Sequence, residues 1–463
     1  MAQNLTIFSP MKNIAIAGAG LVGSLLAIYL KKRGYSVTVF ERRGDMRKAG
    51  AETGRSINLA LSNRGIRALE EVGLADELKK VAIPMHGRMM HDKNGSLSSF
   101  AYGKEGQFIN SVSRSGLNVV LMNEAERLGV EFRFEQRIVK ADLERTTLLV
   151  DSNQSIVHGQ LSAIDHGLLT NKNFDYIIGA DGAFSAVRTA FQFTDRFDYE
   201  QDYIDHGYKE LHIPPGANGA FQLEKNYLHI WPRESFMMIA LPNPDGSFTC
   251  TLFFPFEGTP SFSSLKTKQD VQRFFKETFP DAQLLMPDLL EDFKSNPTSS
   301  LVTIKCYPWV RNKTLLIGDA AHAIVPFYGQ GMNAGFEDCR ILNDLLNLHD
   351  DNWDKVLAEF QTLRKPDADA IAQLALDNFV EMRDLVADSD FLLRKKIEAK
   401  LYELFPDKWI PLYPMVTFMD TMRYSDALAI SKKQSKIMDA VMKTSNLENT
   451  WQSLDFGAIV NQL

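Results

Sequence analysis

The sequence predicts an α/β fold with three parts: a Rossmann-like nucleotide-binding domain, a β-sheet domain interleaved with it, and a C-terminal helical region. Three observations predict it. A strand–turn–helix–strand unit with a glycine fingerprint opens the chain between Lys12 and Glu41, aromatic-rich alternating segments fill the middle, and the chain reads as helix from Asp351 onward.

In the first unit, Asn13 to Ala17 is a short buried strand, Gly18-Ala19-Gly20-Leu21-Val22-Gly23 the turn, Leu21 to Arg33 a helix, and Ser36 to Phe40 a second strand ending at Glu41. The glycines have separate tasks: Gly18 makes the tight turn, Gly20 lets a pyrophosphate approach the backbone, and Gly23 lets helix and strand pack closely. The anion then rests on the helix N-terminus at Leu21 and Val22, where unpaired N–H groups and the helix dipole favour negative charge. Glu41 falls near the roughly 20-residue offset at which a carboxylate meets an adenosine ribose. Arg42 beside it joins the nucleotide-binding candidates. Ile14 to Leu30 carries no charge, yet the glycines and the strand before them, with no basic cluster preceding the run and no cleavage site following it, exclude a signal peptide or a membrane span.

The whole sequence has 463 residues, a formal charge of −7 and a pI near 5.8, which argues against a general nucleic-acid binder. Cys250, Cys306 and Cys339 are widely spaced and odd in number, giving neither a disulfide framework nor a zinc pattern. A reducing, cytoplasmic compartment follows as an expectation.

Along the chain, Met1 to Met11 reads as a loose extension. Gly54 to Leu61 leads into a helix over Asn63 to Val72, stopped by Gly73, and brings Arg55 and Ala60 close to where a dinucleotide would run. Met85 to Tyr102 reads as short strands around the turn Asp92-Lys93-Asn94-Gly95. A helix over Leu117 to Leu128 follows, with Arg114 near its start. Strands from Glu131 to Ala180 close on Asp181-Gly182, beyond the edge where open α/β sheets bind ligands. Tyr208 to Phe256 reads as aromatic-rich strands, then a helix over Thr267 to Thr278 and a loop to about Ser300. Thr314 to Ile317 is a strand, Gly318-Asp319 its turn, and Gly329 to Gly335 a glycine-rich lead into a helix over Phe336 to Leu348. Asp319 suits sugar hydroxyls, and Gly331, Met332 and Asn333 lie at a helix start that stabilises ligand charge. His322 is read as structural. Pro366, Pro406, Pro411 and Pro414 punctuate the helical end.

One glycine fingerprint, a strand ending in Asp181-Gly182 and the Gly318-Asp319 turn together resemble the FAD-dependent aromatic hydroxylases of the para-hydroxybenzoate hydroxylase type, in which all three serve one FAD. Further strings are similar to the kynurenine 3-monooxygenase family among them: Gly54 to Leu61, His206 to Leu211, Leu228 to Pro232, Phe236 to Asn243, Gly318 to Asn333 and Tyr413 to Phe418. The resemblance implies hydroxylation of L-kynurenine to 3-hydroxykynurenine through a flavin hydroperoxide, with tightly bound FAD, transient NADPH and O₂. It implies that Arg88 and Tyr102 hold the substrate carboxylate, that Asn378 and Tyr413 complete the polar end, and that the ring lies against Leu228, Met238, Leu241, Phe253, Pro326 and Phe327. No protein nucleophile and no metal is implied. The eukaryotic relatives carry a C-terminal membrane-anchoring segment, whereas Ser445 to Leu463 is short and polar, so a soluble enzyme is expected; a homodimer stays open. The expected domains are FAD-binding over 1–80, 104–190 and 300–375, β-sheet over 81–103 and 191–299, and helical over 376–463. A hydroxylase of another aromatic acid, or a flavin-binding redox sensor without turnover, are the alternative readings.

Overall fold

The computed structural model describes residues 11–48, 58–152, 169–381 and 389–463. Arg55 and the expected extension over residues 1–10 lie outside them.

A six-stranded sheet runs in the order Val310–Arg311, Thr314–Leu316, Tyr176–Gly179, Asn13–Ala17, Ser36–Phe40, Glu131–Arg133. All its neighbours pair in parallel except the first two strands. Parallel strands are covered on both faces, which is why Ile14-Ala15-Ile16-Ala17 has no polar alternation and is fully buried. The helices Leu21–Lys32, Arg114–Arg127 and Gly331–Leu348 supply that cover. Because Asn13–Ala17, Tyr176–Gly179 and Thr314–Leu316 are adjacent and parallel, the turns that follow them emerge side by side. Gly18, Asp181 and Gly318, far apart in sequence, therefore share one edge.

The second layer is a seven-stranded sheet in the order Thr298–Tyr307, Asp198–Ile213, Phe248–Pro255, Phe236–Pro242, Tyr227–Arg233, Gly87–His91, Leu97–Ala101. Alternate residues face opposite ways. Trp231, Met238, Ala240, Cys250, Leu252 and Phe254 pack with Phe275 and Phe279 on the outer face, and the other face looks toward the nucleotide domain.

Several boundaries differ from those the sequence predicts. Two short helices, Pro280–Gln283 and Leu289–Ser295, occupy the expected loop. They are too short to show a helical period, and burial of Ala282 and Leu289 against the outer face forms them. The Phe336 helix begins earlier, at Gly331, and the first long strand at Asp198. Pro366 does not punctuate: it lies inside the helix Trp353–Val380. It removes one backbone bond, while buried ion pairs of Arg364 with Glu337, Asp338 and Asp367 hold the helix on both sides of it. The tail read as polar is amphipathic: Leu447, Phe456, Ile459 and Val460 pack with Ile397, Leu401 and Trp409.

Behind the outer face, His91 Nδ1 meets Asp281 at 2.6 Å and its Nε2 meets His229 Nδ1 at 2.9 Å, while His229 Nε2 meets the Glu224 carbonyl at 2.8 Å. Burial pushes His229 down to about 4. A histidine with a depressed folded value contributes stability above its unfolded value, lost as pH falls through the folded one. Melting temperature should therefore decline from about pH 6.5 toward pH 4, and His229→Gln should flatten that decline; an unchanged slope in the variant would refute the assignment.

Candidate functional site: one cavity across three turns

A single cavity of about 950 Å³ runs from the glycine turn to the inner face of the seven-stranded sheet. Asp319 and Arg88 both line it, so the two ends are joined by continuous space.

At the nucleotide end, Gly18 adopts φ +96°, and a side chain there would meet the Ala180 carbonyl at 2.6 Å. Gly23 faces away from the cavity and touches the same turn: a Cβ would lie 2.0 Å from the Gly18 carbonyl oxygen. Gly20 has no protein atom within 4 Å of its missing Cβ, so it presents bare backbone to the cavity. The helix after it has neither a side-chain cap nor an acid in its first turn, leaving the N–H groups of Leu21 and Val22 for an anion. The helix starting at Gly331 is likewise uncapped and without an acid there, and Gly331 and Met332 line the cavity. Two open helix N-termini and a bare glycine fit a flavin dinucleotide.

Glu41 is 8% exposed. Its Oε2 accepts the Ala19 N–H at 3.1 Å, and its Oε1 accepts the backbone N–H and Nε–H of Arg43, each at 3.0 Å. The carboxylate thus closes the glycine turn and keeps acceptor capacity toward a ribose. Arg42, Ala60 and Arg114 also line this end. Asp181 accepts from Ser185 Oγ at 2.5 Å and from the Ala186 and Val187 N–H groups at 2.7 and 3.3 Å, and burial pushes it up. Behind the Gly318 turn, Asp338 binds His322 Nε2 at 2.6 Å, Arg364 Nε at 2.8 Å and the Gly318 N–H at 3.2 Å. Burial would raise that carboxyl, but His322 and Arg364 hold it below the usual range. His322 is therefore a scaffold residue that fixes the turn bearing Asp319.

At the other end, Arg88 lines the cavity with its guanidinium 4.8 Å from the Tyr413 ring centroid and 5.4 Å from that of Tyr102. Tyr102 and Tyr413 stack at 5.3 Å, and Tyr328 stacks on Tyr413 at 5.8 Å. Burial would depress the guanidinium, yet the tyrosines around it leave it raised. No acidic side chain among the described residues pairs with Arg88, and the enclosed Tyr102 hydroxyl lies beside Arg88 and Tyr413. A guanidinium so placed can grip a carboxylate through two parallel bonds. Leu228, Leu241, Phe253, Pro326 and Phe327 form apolar walls, with Phe253 and Phe327 5.0 Å apart.

Three sequence expectations need correction. Met238 is fully buried on the outer face, because Leu241 faces the cavity and residues an odd number of positions away on a strand point oppositely. Met237 and Ile239 take its place, and the alternation rule applied from Leu241 would have found both. Asn378 does not line the cavity; its amide donates to the Phe327 carbonyl at 2.7 Å and braces the wall from behind. The Asn333 side chain is spent on Ala60, Ser62 and Gly329, and the residue does not line the cavity. The sequence reading also missed Ile230, Thr251 and Tyr328, and, at the nucleotide end, Gln136 to Val139. The last come from a strand region docked on Glu41 through the Gln136 N–H, which no local pattern reveals. Tyr102→Phe removes a hydroxyl from the Arg88 end of the cavity; carboxylate-ligand affinity should fall about fivefold in a titration, and equal affinity would remove that hydroxyl from the site.

Residues 11–375 match a family model described as an FAD binding domain. The chain is 51% identical to a kynurenine 3-monooxygenase of Christiangramia forsetii over 96% of each chain, and 49% identical to that of Flavobacterium psychrophilum over 98% of each. It is 46% identical to that of Dictyostelium discoideum over 93% of each. Among solved structures, a tetrameric form of 2-methyl-3-hydroxypyridine-5-carboxylic acid oxygenase aligns with TM-score 0.66 at 22% identity, covering 83% of this chain and 96% of that one. PqsL of Pseudomonas aeruginosa aligns with TM-score 0.63 at 19% identity, covering 81% and 97%. At such identities the likeness shows the fold.

Proposed function

Since this chain belongs to the kynurenine 3-monooxygenases, a family of FAD-dependent hydroxylases, we infer that the Arg88 end of the cavity holds the amino-acid head of L-kynurenine and the apolar walls hold its ring. The protein is an FAD-dependent monooxygenase that hydroxylates kynurenine, with NADPH and O₂ as co-substrates. The observation that carries the assignment of ends is the Arg88 guanidinium, held beside the Tyr102 and Tyr413 rings with no acidic partner among the described residues, at the end of the cavity away from the glycine turn.

FAD would be held by Gly18, Gly20, Leu21, Val22, Glu41, Arg42, Ala60 and Arg114, by Asp181 and Asp319, and by the backbone of Gly331 and Met332. Bound and reduced by NADPH, it supplies the activated oxygen. The chain's own residues do the rest. Arg88 fixes the carboxylate through two parallel charge-assisted bonds, so the ring cannot rotate end over end. Leu228, Ile239, Leu241, Phe253 and Phe327 exclude water from the ring and from the oxygen meant for it. The ring amino group already directs electron density to the neighbouring carbon, so no side chain acts as nucleophile. Purified protein should be yellow, and kynurenine should accelerate reduction of the flavin by NADPH. Absence of a hydroxylated product with kynurenine, NADPH and O₂ together would overturn the reading.

The interleaved domain division remains a proposal, with the edge strand Thr298–Tyr307 of the seven-stranded sheet crossing its boundary at residue 300 and the helix Trp353–Val380 crossing that at 376. The three free, buried cysteines suit a reducing, cytoplasmic compartment, and no described helix is long and apolar enough to cross a membrane. Recovery of the full chain in the supernatant without detergent tests that placement.

A further inference from the structure

Resting on the assignment of the two ends, we propose that the Thr251 hydroxyl recognises the ring amino group of the substrate and thereby selects which ring edge is hydroxylated. Thr251 lies at the centre of the inner sheet face, opposite Ile239 on one neighbouring strand and Glu210 on the other. Its own strand places Phe253 on the same face, and Ile230 continues the row beyond Ile239. The residue is 4% exposed, lines the cavity, and hydrogen-bonds through its hydroxyl to no described residue. Thr249, next on that face, differs in that its hydroxyl accepts from Asn243 at 3.1 Å.

A hydroxyl in a cavity wall that loses its water when a ligand fills the space is costly unless the ligand completes it. Here it stands in an otherwise apolar wall, the arrangement by which a binding site fixes orientation. The sheet order and register put Thr251 three strands across and two residues along from Arg88, about 16 Å at the usual strand spacings. An extended arginine side chain covers about half of that, and the remainder fits an aryl ring joined to an amino acid by a short ketone chain. In a 2-aminophenyl ketone, one amino N–H closes an internal hydrogen bond to the ketone, and the other points along the ring edge that receives the oxygen. A hydroxyl accepting that second N–H holds this edge toward the oxidant, and an aromatic acid without the amino group gains nothing from it.

The test is calorimetric titration of the flavin-loaded protein with kynurenine and with the analogue lacking the ring amino group. Thr251→Val, which keeps volume and removes the hydroxyl, should weaken kynurenine binding about five- to tenfold and leave the analogue within about twofold. Thr251→Ser should restore kynurenine binding. Equal weakening of both ligands would assign Thr251 to packing and overturn the proposal, as would no change with either. If valine prevents flavin loading, the pair Thr251→Ser and Thr251→Ala makes the same comparison. Failure of the unaltered protein to bind kynurenine would instead overturn the reading on which the proposal rests, and the proposal with it.

Discussion

Arg88→Ala is expected to raise the dissociation constant for kynurenine on the order of 30-fold or more, because removing one partner of a desolvated charge pair costs roughly 2 to 5 kcal/mol. The loss belongs to the bound state. Arg88 has no acidic partner among the described residues, so its removal strands no protein carboxylate, and melting temperature should change little. The rings of Tyr102 and Tyr413 would lose a cation–π neighbour, a smaller term. Arg88→Lys should recover only part of the affinity, since an ammonium cannot form the planar two-point grip. Titration of each variant, read by flavin absorbance, checks this; unchanged affinity in the alanine variant would show that another group takes the carboxylate.

The second large effect separates two glycines that look alike in sequence. Gly23→Ala should cost at least about 3 kcal/mol of stability through overpacking, since its Cβ would lie 2.0 Å from a backbone oxygen that cannot swing aside. Gly20→Val should fold normally, because that position has no protein neighbour within 4 Å and an extended backbone any residue adopts. Its branched side chain would occupy the cradle, and the purified protein should be colourless. Melting temperature and the flavin-to-protein absorbance ratio, measured on both variants, decide the matter. A yellow Gly20→Val protein would place the pyrophosphate elsewhere.

The parts of the site that were legible in advance are those whose chemistry is local. A glycine at a turn, an acid after a buried strand and an uncapped helix start each carry their signal within a few residues, so Gly18, Gly20, Asp181 and Asp319 could be named before any fold was known. Met238 lies an odd number of residues from Leu241 on one strand, so it points to the outer face and not into the cavity. Asn333 and Asn378 are expected from the sequence to bind cofactor and substrate, but their side chains are engaged with Ser62 and Phe327, partners distant in sequence.

By itself, the order of residues along the chain determined the α/β class, the nucleotide cradle and the apolar, aromatic character of the middle strands, since backbone conformation and hydrophobic period are set by near neighbours. Tertiary structure alone decided which face of each strand meets the cavity and that the two ends share one space. Pairings such as Ile14 with Tyr176 and Leu228 with Arg88 join residues far apart in the chain. Whether a hydroxyl such as that of Thr251 is satisfied by protein or left open for a ligand depends on every such pairing at once, and no stretch of sequence holds that information.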